Sequence, residues 1–64
     1  MKAYEVVANK VEERGITTAE LARRVGMHSV LLGRSLKGNR NLSADELVNL
    51  CVELNLKLSD FTKD

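Results

Sequence analysis

The sequence predicts an all-α domain of short helices around one core, and three observations predict it. The chain has 64 residues, no proline, 3% aromatic residues and abundant Leu, Val, Ala, Glu and Arg, a composition that favours helix. Its apolar residues recur in blocks at helical spacing. Gly15, Gly26 and Gly38 punctuate those blocks, where helices end in turns.

The first helix is expected over residues 2–14. Tyr4, Val7, Ala8 and Val11 repeat at i, i+3, i+4 and i+7, the spacing of one buried face. Gly15 stops it, and Ile16 precedes the next cap, where it can staple hydrophobically. The second helix is expected over 18–25, capped by the hydroxyl of Thr17 or Thr18, with Leu21, Ala22 and Val25 inward. A tight turn at Gly26-Met27 follows, with Met27 as its apolar plug.

The third helix, 29–37, starts near His28 or Ser29. Leu32 and Leu36 face inward, one turn apart. Ser35 takes a position suited to a large apolar group, and Leu31 is expected to fill part of that space. Residues 38–41 are a polar loop. The fourth helix, 43–54, opens on Ser43 and Glu46 at capping-box spacing. It presents Leu47, Leu50, Cys51 and Leu54 as an apolar stripe, with Cys51 a buried small hydrophobe. A last short helix, 59–62, is capped by Ser59. Leu56, Leu58 and Phe61 either close the core or supply a dimer contact.

Net charge is only +1, but charge is unevenly placed. Residues 21–42 hold Arg23, Arg24, Arg34, Lys37 and Arg40 and no acid, while all nine acids lie elsewhere. A near-neutral protein with one basic face still neutralises phosphates locally. The third helix therefore has an apolar underside and an outer side of Val30, Gly33, Arg34 and Lys37, with Ser29 near the front. That pattern fits a helix laid in a DNA major groove. Arg34 can donate two hydrogen bonds to a guanine edge, and Val30 can pack on a thymine methyl. Gly33 inside a helix costs about 1 kcal/mol relative to Ala. Either close approach of DNA or tight packing against another helix would account for it. His28 is a cap or a base contact. Thr18 caps the helix or also meets a phosphate. Arg23 and Arg24 flank the groove or are plain surface, and Lys37, Asn39, Arg40 and Asn41 are candidate phosphate contacts.

Other classes find little support. One Cys allows no internal disulfide, and one Cys with one His builds no ordinary zinc site. No apolar run approaches the roughly 20 residues of a membrane span, and no signal peptide is evident, so a cytoplasmic protein is expected. There is no paired-carboxylate cleft, nucleophile–base set or phosphate loop, so neither an enzyme nor a cofactor is expected. Nothing points to a small-molecule ligand, and the chain reads as one domain over 1–64.

Ala19-Glu20-Leu21-Ala22 with Val25-Gly26-Met27, then Leu32, Leu36 and Gly38, resembles the helix-turn-helix proteins of the lambda repressor and Cro type, the Xre family. The tail, Leu54-Asn55-Leu56-Lys57-Leu58-Ser59-Asp60-Phe61, resembles the end of that family's fourth helix, its loop and its fifth helix. The resemblance covers nearly the whole chain. It implies a compact five-helix domain whose third helix enters the major groove, with homodimers on paired half-sites. By position it puts base reading on Ser29, Val30 and Arg34 and a phosphate contact on Thr18, where many members carry Gln. Many also carry an Arg–Glu pair at the positions of Val11 and Leu36, where this chain is apolar, and the recognition helix is poorer in amides than in many members.

The implied function is sequence-specific binding of double-stranded DNA by a transcriptional regulator, repressor or Cro-like, acting at an operator. The alternatives are a protein-interaction module, antirepressor-like, or an antitoxin on the same fold. Exposed Val and Leu on the third helix would favour the protein-binding alternative.

Overall fold

The computed structural model describes residues 2–62. Five helices follow in order: α1 (Ala3–Arg14), α2 (Thr18–Val25), α3 (Ser29–Leu36), α4 (Ala44–Leu54) and α5 (Leu58–Phe61). Helices α3 and α4 each pack on both α1 and α2, and α5 leans on α1.

The core joins Val6, Val7 and Val11 of α1, Leu21 and Ala22 of α2, Leu32 of α3, Leu50 and Leu54 of α4, and Leu56 beyond it. Ile16, Val25, Met27, Leu36, Leu42, Leu47, Cys51 and Phe61 pack partly against it. Val6 extends the α1 face by one position beyond the expected stripe, because α1 meets α3, α4 and α5 at once. Cys51 is half-buried rather than enclosed.

The helix ends follow local chemistry. Gly15 adopts φ 68° after α1, and the Ile16 N–H closes on the Val11 carbonyl at 3.2 Å, a left-handed stop that glycine permits without strain. Thr17, not Thr18, caps α2: its Oγ1 accepts from the Glu20 N–H at 3.1 Å. Ser43 and Glu46 close a reciprocal capping box, at 3.1 and 2.9 Å. The final helix differs from expectation. It begins at Leu58, so Ser59 lies inside it, and the Asp60 carboxylate accepts from the Lys57 N–H at 2.7 Å. A carboxylate is a strong acceptor for an unpaired first-turn donor, so it takes the role expected of the serine hydroxyl.

Ser35 and Leu31 also differ from expectation. Ser35 is fully buried, while Leu31 is 38% exposed and stands outside the core cluster. The buried hydroxyl is satisfied instead: it donates to the Leu31 carbonyl at 3.1 Å and accepts from Arg40 Nη1 at 3.0 Å. A guanidinium thus takes the place expected of a leucine side chain.

Candidate nucleic-acid interface

Helix α3 is eight residues long, too short to be stable alone, so its orientation is set by what it rests on. Leu32 and Ser35 are buried beneath it and Leu36 is half-buried. The opposite side is open. Ser29, Val30, Arg34 and Lys37 are all exposed, Val30 by 54%. A Cβ built on Gly33 would meet no atom within 4 Å. Tight helix packing is therefore not what requires glycine there, and the space over Gly33 is free for another molecule.

At the front of α3, His28 is the N-cap, and its Nδ1 accepts from the Val30 N–H at 3.2 Å. In a neutral imidazole, acceptance at Nδ1 leaves the proton on Nε2. His28 is exposed, so its second nitrogen remains a donor for a ligand at this end of the helix. Thr18 sits at the first position of α2, half-buried, with Thr17 already serving as cap. Its hydroxyl therefore stands at the helix end that favours anions.

The basic residues fall into two sets. Arg34 and Lys37 make no ion pair among the described residues, whereas Arg23, Arg24 and Arg40 are all engaged. The Glu20 carboxylate receives both Arg23 and Arg24, and their hydrogen bonds, Arg23 foremost, hold it below the usual carboxylate range. Arg24 also reaches Glu53 of α4 at 3.5 Å. Arg40 makes a forked pair with Glu46, 3.1 Å to Oε1 and 2.9 Å to Oε2. Those bonds, with the Ser43 N–H, bring the Glu46 carboxyl down to about 2. In the loop after α3, Asn39 and Asn41 are exposed, and the Asn39 N–H donates to the Arg34 carbonyl at 2.9 Å.

Of the sequence candidates, His28, Ser29, Val30, Gly33, Arg34 and Lys37 lie on α3 or at its ends, while Asn39 and Asn41 lie in the loop beyond it, Asn41 lining a hollow with Lys2, Ala3 and Tyr4. Thr18 and Arg23 lie on α2, and Arg24 and Arg40 are turned to internal partners. A groove of about 680 Å³ runs between α4 and α5, lined by residues including Val48, Cys51, Val52 and Leu58. Val48, Val52 and Leu58 are 59%, 76% and 82% exposed. Of the residues expected to close the core or bind a second copy, Leu56 is buried, Phe61 packs partly against the core, and only Leu58 is free. Val48 and Val52 were not among the sequence candidates. Their spacing of four on the flank of the α4 stripe was the signal available. Burial raises the Cys51 thiol pKa, and the Asp60 charge adds to the rise, so the thiolate is disfavoured in this groove.

An open two-turn helix with a basic edge, set after a tight turn on a supporting helix, is the geometry of a helix-turn-helix reader of duplex DNA. The chain matches the family model of the Cro/C1-type helix-turn-helix DNA-binding domain over residues 8–64. It belongs to that family, a class of DNA-binding transcription regulators. No curated protein and no solved structure matches the chain. No helix among the described residues is long and apolar enough to cross a membrane.

Proposed function

We propose that the protein is an operator-specific repressor of Cro type that binds duplex DNA as a homodimer in the cytoplasm. The carrying observation is the unobstructed side of α3, where Val30, Gly33 and Arg34 are free of internal partners. Arg34, Val30 and Ser29 read base edges, with His28 at the leading end and Gly33 allowing close approach. Lys37, Asn39, Asn41 and the Thr18 hydroxyl hold phosphates and set register. Arg23 joins them by leaving Glu20, since an exposed ion pair is worth little. Arg24, tied to both Glu20 and Glu53, has more to give up.

Selection from a random duplex pool at fixed salt tests the reading. A defined site with two related half-sites is the expected result, and recovery of no enriched sequence would refute it. Replacing Lys37 with Gln should weaken all sequences alike and lower the salt slope by about 0.9.

The dimer contact falls on Val48, Val52 and Leu58 with the groove between them. A two-fold contact uses the same patch on both copies, and this patch offers both projecting side chains and a hollow. A domain of this size buries little of its surface alone, so a second copy adds support. V52D with L58D should shift sedimentation to monomer and weaken binding to a paired site far more than to a single half-site.

The exposure of Val30 and Leu31 favours a second reading, in which α3 holds another protein, as in an antirepressor; an antitoxin that represses its own operon is a variant of the DNA-binding reading. The basic flank of Arg34 and Lys37 fits a polyanion better, and a valine beside a guanidinium also suits a thymine next to a guanine. A salt-dependent footprint on duplex DNA separates the two.

A further inference from the structure

We propose that Arg40 is a positioning residue that locks the recognition helix against α4, rather than a ligand for a DNA phosphate. The inference rests on the DNA-reading role of α3 and names what holds that helix in place. Its basis is a continuous chain of hydrogen bonds. The Leu31 carbonyl, one residue from Val30, accepts from the Ser35 hydroxyl at 3.1 Å. That hydroxyl accepts from Arg40 Nη1 at 3.0 Å, and the same guanidinium forks onto Glu46 at 3.1 and 2.9 Å. Glu46 Oε1 then accepts from the Ser43 N–H at 2.9 Å, closing onto the cap of α4. The side chains of Arg40 and Glu46 are 29% and 24% exposed and Ser35 is fully buried. The chain therefore runs from a buried hydroxyl through a part-buried ion pair to the exposed cap of α4.

Two features make this more than a surface pair. A buried hydroxyl must find partners, and among the described residues Arg40 is the one donor to the Ser35 hydroxyl. Losing Arg40 leaves Ser35 with one bond and Glu46 with a carboxylate facing a vacated site. The forked geometry fixes direction as well as distance, so Arg40 is held on Glu46 of α4 in the orientation that meets the Ser35 hydroxyl of α3. The loop that carries Arg40 also binds the backbone of Arg34 through the Asn39 N–H at 2.9 Å. A helix of two turns resting on Leu32 and Leu36 can still roll about its axis. The Arg40 lock opposes that roll, and the roll is what would carry Arg34 and Val30 off their bases.

A double-mutant cycle on DNA affinity tests it, using the selected duplex, R40A, E46Q and R40A/E46Q, with folded fraction checked by circular dichroism at the assay temperature. Gln at 46 keeps an acceptor for the Ser43 N–H and removes only the ionic fork, so the fold is retained even if R40A proves weak. The expected result is that E46Q and R40A each weaken binding about three- to tenfold. The double variant should be no weaker than R40A, and the salt slope should stay at the parent value throughout. If Arg40 held a phosphate, R40A would lower the slope by about 0.9, and E46Q, by freeing the guanidinium, would bind as well as the parent or better. Either of those results overturns the proposal while the DNA reading stands. A parent protein that binds no duplex removes the reading itself, and the lock's role with it.

Discussion

On α3 and at its C-cap the outward stripe carries Val30, Gly33, Arg34 and Lys37, whereas the flank of α4 and the start of α5 carry Val48, Val52 and Leu58. Both surfaces are exposed, and both rest on the same leucine core. They differ in what they leave unsatisfied. The α3 side offers two unpaired cations, a hydroxyl and one small apolar group, a mixture that suits a polymer with phosphates outside and base edges within. The α4–α5 side offers apolar area without charge, which only another apolar surface satisfies. The net charge of +1 conceals this division. Of the basic residues in 21–42, Arg23, Arg24 and Arg40 are held by the acids Glu20, Glu46 and Glu53, which leaves Arg34 on α3 and Lys37 at its C-cap.

The largest expected effect breaks the proposed DNA-facing surface from below. Leu32 is fully buried beneath the open stripe, and L32A should cost about 2–5 kcal/mol, a large share of the roughly 5 kcal/mol a small domain has to lose. Thermal unfolding should show a midpoint near or below room temperature. Native-like melting of L32A would mean that α3 is held from its side rather than from its base.

The next effect separates reading from folding. R34A should leave the melting curve within about 0.5 kcal/mol of the parent. It should weaken binding to the selected site by about 1–3 kcal/mol and relax discrimination at one base pair. If R34A binds its best site as tightly as the parent, Arg34 does not read a base. The contrast between the two faces would then rest on Lys37 and the loop.

Most of the scaffold and the outline of the site were legible in the sequence, because helical periodicity and turn chemistry are local. The 3.6-residue repeat in α1, the capping box of Ser43 and Glu46 and the left-handed glycines all depend on residues within a turn of one another. What escaped depends on contacts between elements. Glu46 was readable as a cap, but its second role on Arg40 needs the loop folded back over α4. Ser35 looked like a defect to be filled by a leucine, because spacing says nothing of an arginine five residues on. Tyr4 read only as part of the inward face of the first helix, and a Cβ on Gly38 would lie 2.7 Å from its Cζ, a closeness no sequence pattern announces. The dimer candidates were chosen for hydrophobicity, which does not separate buried Leu56 from exposed Leu58.

A smaller effect sharpens the comparison at its centre. Gly33 has open space above it and ordinary helical backbone, so G33A should stabilise the free protein by about 1 kcal/mol. The same methyl would stand on the surface proposed to meet DNA. Affinity should fall while the melting temperature rises, opposite signs that no loss of packing imitates. A variant both more stable and equally tight in binding would show that DNA does not approach α3 at this point.

The smallest effect concerns the acids that keep the other arginines engaged. Arg40 and the Ser43 N–H hold the Glu46 carboxyl at about 2, against an ordinary 4.5. Glu20 is lowered in the same direction by Arg23 and Arg24. A depressed carboxylate binds its proton more readily in the unfolded chain. Its stabilisation is therefore complete above about pH 4.5 and is lost as pH falls toward 2. E46Q carries no such proton, so its melting temperature should lie below the parent's at pH 6. The gap should close progressively between pH 4.5 and pH 2, and E20Q should behave with the same sign and a smaller gap at pH 6. Parallel curves for parent and E46Q over that range would mean that the Arg40–Glu46 fork adds nothing to the folded state. Arg40 would then be as available to a phosphate as Lys37, and the division between engaged and free cations would lose its physical basis.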